Sequence, residues 1–259
     1  MWQDLLAVGS GSLVGLVLGL IGGGGSILAV PLLVYVVGVG SAHVAIGTSA
    51  VAVALSALSS LAGHARAGNV RWPCALIYAA CGVAGAALGS TLGKHFDGTR
   101  LLTLFGLLMI VVALLMLRKP KPGLREFVPL SATTAATLAP RLVAFGAGTG
   151  LLSGFFGIGG GFLVVPGLVA SARMPLLAAI GSSLVSVAAF GLTTAANYAL
   201  SGLVEWRLVV MFVLGGVLGS LLGGRLAFRL ANRKRALTHI FAGIVASVGC
   251  YVVLRGFFG

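Results

Sequence analysis

Acidic residues are nearly missing from this chain. Asp4, Asp97, Glu126 and Glu205 are the only four in 259 residues, and each falls near a terminus or between apolar runs. No carboxylate is left for the interior of an apolar segment, which argues against carboxylate-based cation coordination or a carboxylate proton relay. Charged residues of either sign make up only 8% of the chain. Cysteine is scarce too: Cys74, Cys81 and Cys250 form no CxxC pair and have no His or acid at ligand spacing, so they read as small packing residues. No Lys-Ser or Lys-Thr follows a glycine run and no GxGxxG occurs, which excludes a phosphate-cradling nucleotide loop. Intramembrane Ser/His/Asp, HExxH and paired-carboxylate arrangements are also missing, so an enzyme is the weakest reading and no cofactor is implied.

What remains is hydrocarbon. The chain is 59% hydrophobic with a mean hydropathy of +1.13, more apolar surface than a soluble domain can hide. Apolar runs cover roughly 5–39, 43–62, 72–92, 101–117, 141–171, 175–200, 206–228 and 236–254, most of them near the ~20 residues a membrane helix needs. Alternating segments of about ten residues, the mark of a membrane β-barrel, do not occur, so the fold class is an all-α integral membrane protein. The start, "MWQDLL", has no basic stretch before its apolar run, so the first segment is expected to be retained.

The chain also repeats itself. At an offset of 135 residues, "GFFGIGGGFLVVPGL" (Gly154 to Leu168) lies on "GLIGGGGSILAVPLL" (Gly19 to Leu33), with eight of fifteen positions identical. At an offset of 134, "AIGTSAVAVA" (45–54) aligns with "AIGSSLVSVA" (179–188), "GNVRW" (68–72) with "GLVEW" (202–206) and "GVAGAALG" (82–89) with "GVLGSLLG" (216–223). Two homologous membrane repeats follow, 1–117 and 141–259. The proline-rich, charged stretch 118–140 is the linker between them.

Charge suggests how the halves face. As one helix, residues 5–39 would be about 52 Å long, too long for a single crossing of a core about 30 Å thick. If each glycine-broken segment crossed once, the Lys and Arg would divide nine to eight between the two sides. If instead each segment dips in and returns, or crosses twice, the halves are inverted. Thirteen basic residues then share the side of Arg66, Arg71, the linker, Arg173 and the 225–235 cluster, against Lys94, Arg100, Arg207 and Arg255 on the other. The positive-inside rule favours the inverted arrangement, with the linker 118–140 and loop 229–235 cytoplasmic and the termini periplasmic. Each repeat is then a Gly-broken first segment plus three transmembrane helices. The basic cluster Arg225 to Arg235 suits anionic lipid better than nucleic acid.

Inverted repeats with Gly/Pro-interrupted helices at matched positions are the pattern of secondary transporters, whose substrate sits near the midplane between the broken helices. A glycine run exposes N–H groups at the start of the next half-helix, and these groups with the positive dipole end favour an anion. The candidate binding residues are Gly22, Gly23, Gly24, Gly25 and Ser26 in the first half and Gly157, Gly159, Gly160 and Gly161 in the second. Thr48, Ser49, Ser182, Ser183 and Asn197 add neutral directional donors. The glycine rows 82/85/89 and 216/219/223 read instead as close helix packing. His43, His95 and His239 lie near predicted interfaces; His64, matched by Tyr198 in the second half, is the candidate proton-coupling group. A passive anion channel using the same helix ends is the alternative; a metal-cation transporter lacks ligands. Candidate partners are a small anionic substrate, membrane lipids and a second copy of the chain.

At the paired motifs "GLIGGGGSILAVP" and "GFFGIGGGFLVVP", followed by "AIGTS" and "AIGSS", the chain resembles the TauE/SafE family of sulfite and organosulfonate transporters. The resemblance covers nearly the whole chain. It implies a bacterial inner-membrane permease for a sulfur-containing anion, exported by some members and taken up by others. Gly23 stands where the second half has Ile158, so the two half-sites need not contact substrate alike.

Overall fold

The computed structural model describes residues 2–21, 23–117, 135–229 and 234–258. Most of the linker, the 230–233 loop and Gly22 lie outside them. Every regular element among the described residues is helical, as hydrocarbon demands, since it offers the backbone no hydrogen-bond partner. In order these are α1 (Trp2–Ile21), a 3-10 turn (Gly23–Leu28) running into a short α2 (Ala29–Pro31) and a π-turn (Leu32–Val36), then α3 (Ala42–Arg66), α4 (Trp72–His95) and α5 (Gly98–Leu117). The second half repeats the plan with α6 (Ala135–Phe156), α7 (Gly161–Ala172), α8 (Leu176–Ala199), α9 (Trp206–Arg229) and α10 (Lys234–Phe258). Seven of these helices are long and apolar enough to cross a membrane, and two shorter apolar segments, Gly24–Val36 and Gly161–Ala172, follow the glycine breaks. α6 begins at Ala135, inside the stretch expected to be linker, and carries Pro140 in its second turn.

Caps at the helix starts come from the few polar residues available. Ser41 precedes α3 and accepts from the Val44 N–H (3.5 Å); Asp97 precedes α5 and accepts from the Thr99 and Arg100 N–H groups (3.0 and 3.1 Å). The α3–α4 and α8–α9 turns are alike. Gly68 and Gly202 both sit at φ +69, and the following N–H groups of Asn69 and Leu203 reach back to the His64 and Tyr198 carbonyls at 3.0 Å.

The longest helix interfaces cross between the halves. α1 lies along α9, with Asp4 ion-paired to Arg207 (2.7 Å), Gly11 against Phe212, Gly15 against Gly216 and Gly19 against Ser220 and Gly223. α6 lies along α4 in the same way: Gly146 meets Tyr78, Gly150 meets Gly82, Gly154 meets Ala86, and Phe155 meets Gly93. At most of these positions a Cβ would strike a backbone carbonyl, so the glycine rows read from the sequence do serve close packing. α3 crosses α8 at Ala50 and Ala54 against Gly191, and α5 packs on α10 through Gly106 and Gly249. The outward faces are hydrocarbon: Leu107, Leu114 and Leu115 of α5 and Leu214, Leu218 and Leu222 of α9 are more than half exposed, the surface that lipid covers.

Candidate functional site

The second glycine break is built by a tight turn. α6 ends at Phe156, and Gly157, Gly159 and Gly160 hold φ values of +67, +63 and +69, a left-handed conformation that a side chain would strain. Glycine is needed here for space as well: a Cβ on Gly157 would strike Ile46, one on Gly159 would crowd Val53 and Val187, and one on Gly160 would lie 2.7 Å from Ser153 Cβ. α7 then starts at Gly161, with the Leu163 and Val164 N–H groups both donating to the Gly160 carbonyl at 2.9 Å. The N–H groups of Gly161 and Phe162 are thus the unpaired donors that open a helix. The whole stretch from Phe156 to Phe162 is buried.

The first break has a different conformation. Gly23, Gly24, Gly25 and Ser26 lie in the 3-10 turn, and none of its described glycines has a positive φ. Gly25 packs on the α1 backbone, 2.5 Å from Leu18 N and 2.6 Å from Val14 O if given a Cβ. Residues 24–31 are all buried. Gly22 lies outside the described residues. α7 packs against the 3-10 turn, so the two breaks meet in the interior of the bundle.

The hydroxyl pairs divide their work. Ser49 Oγ donates to the Ile46 carbonyl (2.9 Å) and lies 3.5 Å from Gly157 O, which joins it to the second break. Ser183 Oγ donates to Ile180 O (2.8 Å). Their neighbours serve the opposite half: Thr48 Oγ1 accepts from the Glu205 N–H (3.0 Å) and Ser182 Oγ accepts from the Arg71 N–H (2.9 Å). These equivalent bonds hold the chain just before α9 and α4.

Asn197 lies apart from the breaks, at the end of α8. Its Nδ2 donates to Ser90 Oγ (2.6 Å) and Thr91 Oγ1 (2.9 Å), while Oδ1 accepts from Lys94 Nζ (2.7 Å), which also donates to Ser201 Oγ (2.9 Å). The sequence reading missed Lys94, although Ser90 and Lys94 at i and i+4 on an apolar helix were a usable signal. His64 is buried at the end of α3, 6% exposed, and its Nδ1 has no hydrogen-bond partner.

Several other buried polar atoms lack partners: the hydroxyls of Ser60, Ser153, Ser186, Thr194 and Tyr198. Ser60 with Thr194, and His64 with Tyr198, are equivalent at the 134-residue offset. A bundle interior lined with hydroxyls that bond nothing offers donors to a ligand, since such groups otherwise carry a desolvation cost. Among the described residues no group of His, Cys, Asp or Glu could hold a metal ion, and the three cysteines are free thiols. Asp97 and Glu205 are exposed at helix ends and Asp4 pairs with Arg207, so no described acid faces the breaks.

A family model described as "Sulfite exporter TauE/SafE" matches residues 7–252. A probable membrane transporter protein of Xylella fastidiosa strain 9a5c is 50% identical over 253 residues, covering 97% of this chain and 95% of its own. The probable membrane transporter protein YunE of Bacillus subtilis is 27% identical, covering 96% of each chain, and YdhB of the same organism is 28% identical over 78% of this chain and 82% of its own. No solved structure matches.

Proposed function

The chain belongs to the TauE/SafE family of membrane transporters, and from that premise we propose that it is a secondary transporter for a small sulfur-containing oxyanion such as sulfite or an organosulfonate. The substrate is held where the two glycine breaks meet, by Gly22–Ser26, Gly157–Gly161 and the hydroxyls of Ser49 and Ser183. Thr48, Ser182 and Asn197 steady the surrounding helix ends, and His64 is the protonatable group for any coupling to a pH gradient. The observation that carries this reading is the contact between the breaks in an interior without a described acid: backbone N–H groups and hydroxyls can donate to an anion there, and no described carboxylate is present to hold a cation.

Alternating access requires two halves that move against each other around a fixed site. Helix directions support an inverted repeat. α1 runs beside α9 start to start, α6 runs beside α4 start to start, and the start of α3 is tied to the start of α9 through Thr48 and Glu205. Since α4 follows α3 through a short turn and runs back, α4 opposes α9, and therefore α1 opposes α6. The charge count agrees, and favours the linker 118–140 and loop 229–235 on the cytoplasmic side of a bacterial inner membrane. Residues 24–31 of the first break and 156–162 of the second are buried, as in an occluded state that must open to each side in turn.

The test is flux in proteoliposomes against a panel of sulfite, sulfate, thiosulfate, sulfonates and carboxylates, with imposed pH and voltage gradients. Saturable sulfite or sulfonate flux with counter-flow is expected. Unsaturable flux without counter-flow points to a channel. Changing Ser49 and Ser183 together to Ala lowers the flux; unchanged flux removes both hydroxyls from the mechanism.

A further inference from the structure

The two breaks share a sequence motif but differ in chemistry. At the second, Gly160 faces Ser153, whose Oγ lies 2.8 Å from where a Cβ on Gly160 would sit. Ser153 is fully buried and its hydroxyl bonds no other residue. At the first break the equivalent of Gly160 is Gly25, which packs on the backbone of Val14 and Leu18, and Leu18 stands at the same 135-residue offset from Ser153. Leu18 is fully buried hydrocarbon.

The helices that follow differ as well. α7 has twelve residues and opens on the free N–H groups of Gly161 and Phe162. The first break instead passes into a continuous apolar helical stretch, Gly24–Val36, through a 3-10 turn, α2 and a π-turn, and none of its described glycines has a positive φ. One break thus joins a left-handed turn and a helix start to a buried hydroxyl without a partner, and the other has a leucine at the position equivalent to that hydroxyl.

We infer that the oxyanion is held asymmetrically, chiefly at the second break, by the opening N–H groups of α7 together with the Ser153 hydroxyl, while the first break has the hydrocarbon of Leu18 at the position equivalent to that hydroxyl. This rests on the transport reading above and narrows its site. The binding is neutral hydrogen bonding to an anion: Ser153 donates its O–H and keeps its proton. It also accounts for a polar side chain in a place where, without a ligand, alanine would serve better.

That gives a test with two readouts moving in opposite directions. Full-length protein in detergent is titrated with sulfite and with methanesulfonate, and its melting is followed with and without each anion. In Ser153→Ala, affinity falls about tenfold or more, the loss expected for a hydrogen bond to a charged ligand. Its melting without anion is unchanged or higher, because an unsatisfied buried hydroxyl is gone. Ser153→Cys, which keeps a weaker donor, falls between. In Leu18→Val melting drops while affinity stays within about twofold. Ser153→Ala with wild-type affinity overturns the assignment and leaves the transport reading standing, as does an equal loss of affinity in Leu18→Val. A wild-type protein that binds neither anion overturns both.

Discussion

Gly150→Ala is expected to loosen the α4–α6 interface, and Gly148→Ala, two residues away on the same helix, supplies its control. A Cβ on Gly150 would strike the Gly82 carbonyl oxygen and lie 2.6 and 2.7 Å from Gly82 Cα and C, all backbone atoms with no rotamer to give. An ordinary carbon contact is about 3.5–4.0 Å, so the helices must part by about 1 Å, and the close contacts on either side at Gly146 and Gly154 weaken with them. Overpacking of this kind costs about 1–3 kcal/mol, roughly a fivefold to 150-fold change in the folding equilibrium. A Cβ on Gly148 meets nothing within 4 Å, so that variant gains helix propensity, up to about 1 kcal/mol. Reversible unfolding of both variants in the same detergent reads the difference. Equal stability of the two would refute the reasoning that these glycines are set by backbone approach.

Thr48→Ala and Ser182→Ala each leave a backbone N–H, of Glu205 or Arg71, without its acceptor, and unfolding titrations should show a loss of about 1 kcal/mol or more apiece; the swaps Thr48→Ser and Ser182→Thr should retain most of it. In a variant without native cysteines, Asn232→Cys should react with a membrane-impermeant maleimide only from the cytoplasmic side, and labelling from outside intact cells would reverse the orientation.

Much of the architecture was written in hydropathy. The runs 43–62, 72–92 and 101–117 became α3 (Ala42–Arg66), α4 (Trp72–His95) and α5 (Gly98–Leu117), because a helix in lipid needs only length and apolarity to declare itself. Pairing of the glycine rows was half legible: their spacing at three and four residues marked a packing face, but not that α4 meets α6 and α9 meets α1. The hydroxyls were less legible. Thr48 and Ser49 are neighbours, so on a helix they point about 100° apart, and one reaches the opposite half's Glu205 while the other lies by Gly157. The partner of Asn197, Lys94, is 103 residues away, and no local spacing marks the pair. Ser153 left no signal, since no spacing marks a hydroxyl that bonds nothing.

The α1–α9 pairing also sets a timetable. α1 is made well before its partner: the helix that fills its row of Gly11, Gly15 and Gly19 begins about 185 residues later. At about 5–20 residues per second, synthesis of that stretch takes about 10–40 s. For that interval the α1 face that α9 covers in the finished structure has no α9 to meet, so the first half cannot reach its final packing until nearly the whole of 1–229 has been made.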